Sequence, residues 1–209
     1  MKVICVSAQL CMGKDVTCDH LVKSLNGLKN NQFWERTSFA DSVKKIYEIA
    51  FGVDREFVEK WKRNPDPPQG MLKTVRQGLQ FIGDGFRTIK SDIWIDIALR
   101  DESKNICISD GRYINEAKAV REKKGVTILL YRPGYLNDDP NPSESQLRPL
   151  LKWASENLET GPIKIDEIKD APAGMEYFDY FLNNEGSIEG LYEKIDSLLV
   201  PYVGNHFSV

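Results

Sequence analysis

The chain has few of the residues from which metal centres and disulfide scaffolds are built. Of 209 residues only four are cysteine and two are histidine. Cys5, Cys11, Cys18 and Cys107 show no CxxC spacing, and three lie within or beside the presumed first strand and helix. Buried thiols are therefore expected rather than ligands, and His20, beside Cys18 and Asp19, is too isolated to predict a metal. No stretch approaches the ~18–20 apolar residues of a membrane span. The amino terminus lacks a basic lead followed by a long apolar run, so no signal peptide is expected. A net charge of -3 gives no global pull toward nucleic acid or anionic membrane, though it leaves room for local anion sites. Repeats and low-complexity tracts are missing too. What remains is the make-up of an ordinary globular protein, long enough for one domain with a substantial core and an inserted subdomain. A reducing cytoplasm is the expected compartment.

Apolar patterning outlines the elements. "KVICVS" reads as a buried strand. After Lys14, Val16, Cys18, Leu21, Val22 and Leu25 keep helical spacing up to Asn26-Gly27. "QFWERTSF" alternates as a second strand, and Asp41 could cap the helix "SVKKIYEIAFG". "DREFVEKWKR" is a short helix stopped by "NPDPPQG". From Met71 to about Asp101 the spacing predicts two helices divided near Gly83 to Gly85. "NICISD" and "VTILLYRPG" are buried-type strands, joined by the helix "INEAKAVREKKG". "YLNDDPNPSESQ" is a polar, proline-bearing loop of the kind used for lids. Residues 149–172 carry little pattern beyond one helix around Lys152 to Leu158. A short strand, a turn and a terminal helix close the chain. The expectation is a three-layer α/β fold with a parallel central sheet and helices inserted between its second and third strands.

Between the first strand and helix lies "AQLCMGKD". A phosphate-binding loop turns successive backbone N–H groups and a helix N-terminus on phosphate oxygens, while a lysine reaches the terminal phosphates. Its usual spacing is G-x-x-x-x-G-K-[ST]. Gly13 and Lys14 fit. Ala8 replaces the first glycine, at a cost of about 1–2 kcal/mol if that position needs positive φ and almost nothing otherwise. Asp15 replaces the hydroxyl residue, yet a carboxylate can hold Mg²⁺ directly or through water, and Thr17 offers a hydroxyl one turn on. The alternative is a plain strand-to-helix turn with a solvated lysine.

Asp110 ends the strand "NICISD", and ligands of open α/β sheets bind beyond the carboxyl ends of the strands. Asp110 should then face the Lys14 loop, unless it is only a turn or cap residue. Arg112 and Glu116, four apart, either join that crevice or form a surface salt bridge. Lys62, Arg63, Arg76 and Arg87 punctuate the inserted helices, and phosphoryl transfer needs such donors. Each taken singly could as well be a solvated charge. Phe39, Trp61, Trp94 and Tyr113 could stack on a base or simply pack in the core.

Taken in order, "GKDVT", "FADSVK", "LQFIGD" with a downstream "WI", "SDGRYINEAKAVR", "RPG" and "NNEGSIEGLYEKI" resemble the bacteriophage-type deoxynucleoside monophosphate kinases. These are a branch of the P-loop nucleoside monophosphate kinases. The resemblance runs from Met1 to about Leu199, and Asp15 is what that family shows after the lysine. Ala8 and Val16 depart from it. The resemblance implies a P-loop kinase fold over residues 1–209, with a helical monophosphate-binding insertion at 41–103 and a lid-like loop at 133–147. It implies an enzyme, a phosphotransferase that moves the ATP γ-phosphoryl group to a deoxynucleoside 5′-monophosphate with Mg²⁺. Gly13, Lys14, Asp15, Val16 and Thr17 then belong to the ATP loop, with Asp15 the candidate Mg²⁺ ligand. Arg132 and Asn184 fall near the adenine end. Trp94, Asp110, Arg112 and Glu116 match acceptor positions, with Phe39, Lys62, Arg76 and Arg87 as further candidates. Lys14, Asp15, Asp110 and Arg112 are the catalytic set. Partners are small nucleotides, with no nucleic acid or membrane, and a homodimer is left open. A phage-encoded protein would work in the host cytoplasm. The alternatives are another small-substrate P-loop kinase, such as a dephospho-coenzyme A kinase or a nucleoside kinase, or a non-catalytic nucleotide-binding protein.

Overall fold

The computed structural model describes residues 1–28 and 32–207. At its centre β1 (Val3–Ser7) is buried at every position, which is why Val3 to Val6 are continuously apolar rather than alternating. β1 lies between β3 (Asn105–Gly111) and β4 (Val126–Tyr131), parallel to both. β2 (Trp34–Thr37) extends the sheet beyond β3, and β6 (Tyr180–Asn183) extends it beyond β4, again in parallel. A two-residue β5 (Gly161–Pro162) closes that edge antiparallel to β6. The order is β2-β3-β1-β4-β6-β5, a six-stranded, mostly parallel α/β sheet. Parallel neighbours demand crossover connections, and helices supply them: α1 (Lys14–Gly27) after β1 and α6 (Ile114–Glu122) between β3 and β4. The main core joins Ile4, Val6, Leu21, Ile128, Leu129, Phe181 and Leu191, among others, from these strands and helices.

The chain divides into two compact units, Met1–Ser38 with Asp101–Val209, and Phe39–Arg100. The second unit is helical: α2 (Ala40–Phe51), α3 (Arg55–Trp61), α4 (Val75–Ile89) and α5 (Ile93–Ala98). Its small core is Tyr47, Val58 and Val75, with Phe57, Trp61, Leu79 and Ile82 packed against them. Two expectations need correcting here. Asp41 does not cap α2. The helix starts at Ala40, and Asp41 sits in its first turn, accepting from Arg55 at 3.0 Å. Nor do Gly83 to Gly85 divide the next helix. A capping box of Thr74 and Gln77 starts α4, which runs through both glycines, and the break comes at Lys90 to Asp92. An isolated helical glycine costs only ~1 kcal/mol, which the amphipathic packing of α4 overrides.

In the first unit, the stretch with little pattern contains most of α8 (Arg148–Asn157) and a 3-10 turn, Ile165–Glu167, and a second such turn, Met175–Tyr177, follows it. The polar loop before it carries a four-residue helix, α7 (Pro142–Ser145), capped by Asn141. After α9 (Ile188–Lys194) the chain does not stop near Leu199. It widens into a π-turn at Ile195–Leu199 and continues as α10 (Val200–His206). Pro201, with no N–H to donate, follows that widened turn, where the loss of a donor is accommodated. No helix among the described residues is long and apolar enough to cross a membrane.

The carboxyl ends of β1 and β3 meet unusually closely. Ser7 pairs with Gly111 after a register shift that follows Cys5, and the amide of Ala8 donates to Gly111 O at 3.1 Å. A Cβ on Gly111 would lie 2.3 Å from Ser7 Oγ and 2.8 Å from Cys5 Sγ. Gly111→Ala should therefore cost about 1–3 kcal/mol through overpacking, read as a lowered urea midpoint with an unchanged slope. An unshifted midpoint would show that the seam is looser than described.

Candidate active site

The seam delivers the chain into a loop, residues 8–13, that ends at the first turn of α1. Ala8 is fully buried and is not among the positive-φ residues, so the missing glycine costs no backbone strain. The left-handed positions are Cys11 (φ 62) and Gly13 (φ 99). Gly13 is needed twice over, because a Cβ there would also lie 2.7 Å from Asn184 Nδ2. Among the described residues, the N–H groups of Cys11 to Val16 have no acceptor. The first-turn amides of any helix lack intrahelical partners. Here the turn before the helix adds its own donors to theirs, and the helix dipole favours an anion at the same place.

Lys14 folds back over this loop, its Nζ donating to Gln9 O at 2.6 Å, and is only 7% exposed. Burial, and next the guanidinium of Arg112, lower its pKa from 10.5 to about 7, against the opposing pull of Glu144, Asp110 and Asp15. These five side chains therefore share one electrostatic neighbourhood. Asp110 and Arg112 arrive there from the end of β3, so the two strand ends face a common place.

Arg112 pairs with Glu144, a residue the sequence reading passed over. Glu144 is 1% exposed. Its Oε2 accepts from the amide of Leu10 at 2.9 Å, and its backbone carbonyl accepts from Gln9 Nε2. Gln9 also exchanges two bonds with the backbone of Asn137, at 2.9 and 3.0 Å. The 133–147 segment is thus stitched to the loop of residues 8–13. Glu116, expected to read sugar or base, is 2% exposed, and its Oε2 accepts from the amides of Arg112 and Tyr113 at 2.8 and 3.1 Å. In this structure it sets the start of α6 by holding the backbone of Arg112 and Tyr113, while the Arg112 guanidinium pairs with Glu144.

Asp15 is largely exposed and pairs with Arg36 of β2, which also holds both oxygens of Asp19 at 2.8 Å. Val16 packs against the core, while Thr17 is fully buried and its hydroxyl has no partner among the described residues. Asn184 braces the loop from behind, donating to Met12 O at 2.9 Å, and its own amide reaches Tyr131 O. Arg132 lies over the ring of Tyr135, 4.3 Å from the centroid. Asn184 therefore touches the loop itself, and Arg132 stacks beside the end of β4.

In the helical unit, Trp94 is buried, its Nε1 donating to Gly83 O at 3.0 Å and its ring tilted on Phe86. That is a core role within the unit. Phe39 is buried, Lys62 pairs with Glu59, and Arg87 lies 3.8 Å from Asp84. Arg76 stands in the first turn of α4. The residues missed by sequence, Gln9, Arg36, Asn137 and Glu144, lie in or beside irregular segments or on an edge strand. No periodicity or motif spacing marks these positions.

No family profile matches the sequence. The chain is similar to a curated protein of Acanthamoeba polyphaga mimivirus named "Putative deoxynucleotide monophosphate kinase". The two are 29% identical over 160 residues, covering 68% of this chain and 79% of the relative. Among solved structures, a shikimate kinase from Acinetobacter baumannii overlaps 98% of this chain and 94% of its own, at TM-score 0.46 and 19% identity. A sugar kinase from a Janibacter species overlaps 98% and 97%, at TM-score 0.39 and 11% identity. At scores this low neither overlap bears on the chemistry.

The depressed lysine yields a measurable consequence. A polyphosphate beside Lys14 restores its charge, so at pH 8 binding should take up about one proton, and at pH 6, where Lys14 is already protonated, it should take up none through this group. ATP affinity should accordingly fall as pH rises above about 7. Calorimetry in buffers of different ionisation enthalpy measures the uptake, and Lys14→Met should abolish it.

Proposed function

We propose that the protein transfers the γ-phosphoryl group of ATP to the 5′-phosphate of a deoxynucleoside monophosphate, giving the diphosphate and ADP. The observation that carries this reading is the run of open amides from Cys11 to Val16 beside the buried Lys14 ammonium, facing Asp110 and Arg112. The mimivirus relative supports kinase chemistry, and its printed name supports a deoxynucleotide acceptor.

In this reading the loop amides and the N-terminus of α1 take the β- and γ-phosphates. Lys14 and Arg112 spread the charge that builds on the transferring group. An oxygen of the acceptor phosphate attacks the γ-phosphorus, the bond to the ADP oxygen breaks, and no proton need move, because the attacking oxygen is already anionic near neutral pH. The rate then comes from alignment and charge placement, and no general base is assigned. The carboxylates of Asp15 and Asp110 are hard oxygen donors suited to Mg²⁺, which typically takes one or two carboxylates along with phosphate oxygens and water. When bound, the ion would neutralise β- and γ-oxygens; Asp15 would exchange Arg36 for it. Glu116 holds the β3–α6 turn so that Arg112 points to the transferring phosphate. Asn184 keeps the loop's shape by gripping Met12 O. The 133–147 segment, already fastened to the loop by Gln9, excludes water from the phosphates, which limits ATP hydrolysis. The remaining acceptor contacts are assigned, on the sequence resemblance, to Phe39, Lys62, Arg76, Arg87 and Trp94, and the adenine end to Arg132.

The test is turnover of dTMP, dGMP, dCMP, dAMP and dephospho-coenzyme A with Mg-ATP. Phosphorylation of at least one deoxynucleotide is expected, with Lys14→Ala lowering it by about two or more orders of magnitude while the circular dichroism spectrum is kept. Turnover of dephospho-coenzyme A alone, or ATP binding with no transfer, would overturn the assignment.

A further inference from the structure

Glu144 is a buried carboxylate that touches the loop, and no part of the proposed chemistry yet uses it. A carboxylate at 1% exposure is costly unless its charge is compensated. Among the donors that compensate Glu144 are Arg112 on Oε1 and the amide of Leu10 on Oε2. Its backbone is fixed as firmly. Asn141 caps α7 through Ser143 N at 3.0 Å, and Arg148 grips the carbonyls of Asn137 and Asp139, each at 2.8 Å. Gln9 then ties Asn137 and the Glu144 carbonyl to the loop. The side chain is therefore delivered to a set place between a flexible arginine and the rim of the phosphate loop.

We propose that Glu144 is a positioning residue, holding Arg112 and the rim of the phosphate loop in the arrangement that nucleotide phosphates require. This rests on the nucleotide-binding reading given above. The alternative, a carboxylate that competes with phosphate for the same donors, fits the geometry less well. Glu144 takes the amide of Leu10, one residue before the run Cys11 to Val16, and leaves that run open. Arg112 commits Nη1 to Glu144, while the rest of its guanidinium fork remains for the phosphates. An uncompensated arginine beside Lys14 would swing away from the like charge, and the pair with Glu144 prevents this.

The isosteric variant Glu144→Gln separates the two. A neutral amide has one oxygen for two donors, so either Leu10 N–H or Arg112 meets an NH₂ group. Titration of the full chain with Mg-ATP should show affinity lowered about tenfold, although a negative charge has been removed from beside an anion site. On an Arg112→Lys background the same substitution should cost less than about threefold, because its effect runs through the arginine. A role confined to packing α7 would instead give penalties that add. Glu144→Asp, which keeps the charge but cannot span both donors, should also weaken binding, and provides the test if the glutamine variant does not fold. Binding by Glu144→Gln as tight as wild type or tighter, or additive penalties in the cycle, overturns the proposal alone. A wild-type protein that binds no Mg-ATP sinks this proposal and the functional reading together.

Discussion

The hydrogen bond from the Ala8 amide to Gly111 O draws the carboxyl ends of β1 and β3 into contact, and the rest of the site hangs from that seam. It is possible because residue 111 has no side chain to separate the strands. Once the ends touch, whatever follows each strand must share one small volume. After β1 that is a loop with unpaired amides and a lysine. After β3 it is Arg112, with Asp110 just before it. Function here is thus a consequence of strand register: a site of convergent donors beyond the carboxyl edge of a parallel sheet.

Charge balance explains how such a site holds together. Lys14 and Arg112 would repel one another across a poorly solvated space. The structure answers with a loop carbonyl for the lysine and Glu144 for the arginine, and with Asp110 and Asp15 nearby. Burial, and next the Arg112 guanidinium, outweigh these carboxylates, which is why the lysine is left with a pKa near neutrality. On the proposed function, a triply or quadruply charged polyphosphate would restore the lysine's charge. The same burial that lowers the lysine's pKa would, on the proposed function, favour an anion beside it, and the 133–147 segment supplies Glu144 to the charge balance.

The fold was legible where burial imposes a pattern. Continuous apolar runs marked β1, β3 and β4, and helical spacing marked α1, because their surroundings demand those residues. It was less legible where local rules yield to packing. The glycines of α4 read as a break, yet the helix runs through them. At the site, Gly13, Lys14, Asp110 and Arg112 stood out because backbone geometry and strand ends constrain them. Ala8 looked like a defect only because sequence cannot show φ. Glu144 and Gln9 could not be found by pattern. Their roles depend on how an irregular segment, 133–147, returns to a loop some 130 residues earlier, and no periodicity encodes that return.

The central claim is that the amides of Cys11 to Val16 and the side chain of Arg112 meet the same ligand. Titrating isotope-labelled protein with Mg-ATP and following both backbone amide and arginine side-chain resonances tests it directly. The account predicts that the largest shifts fall together on residues 11–16 and on the Arg112 guanidinium, saturating at one ATP concentration. Shifts that leave either group unmoved, or that saturate at different concentrations, would contradict it.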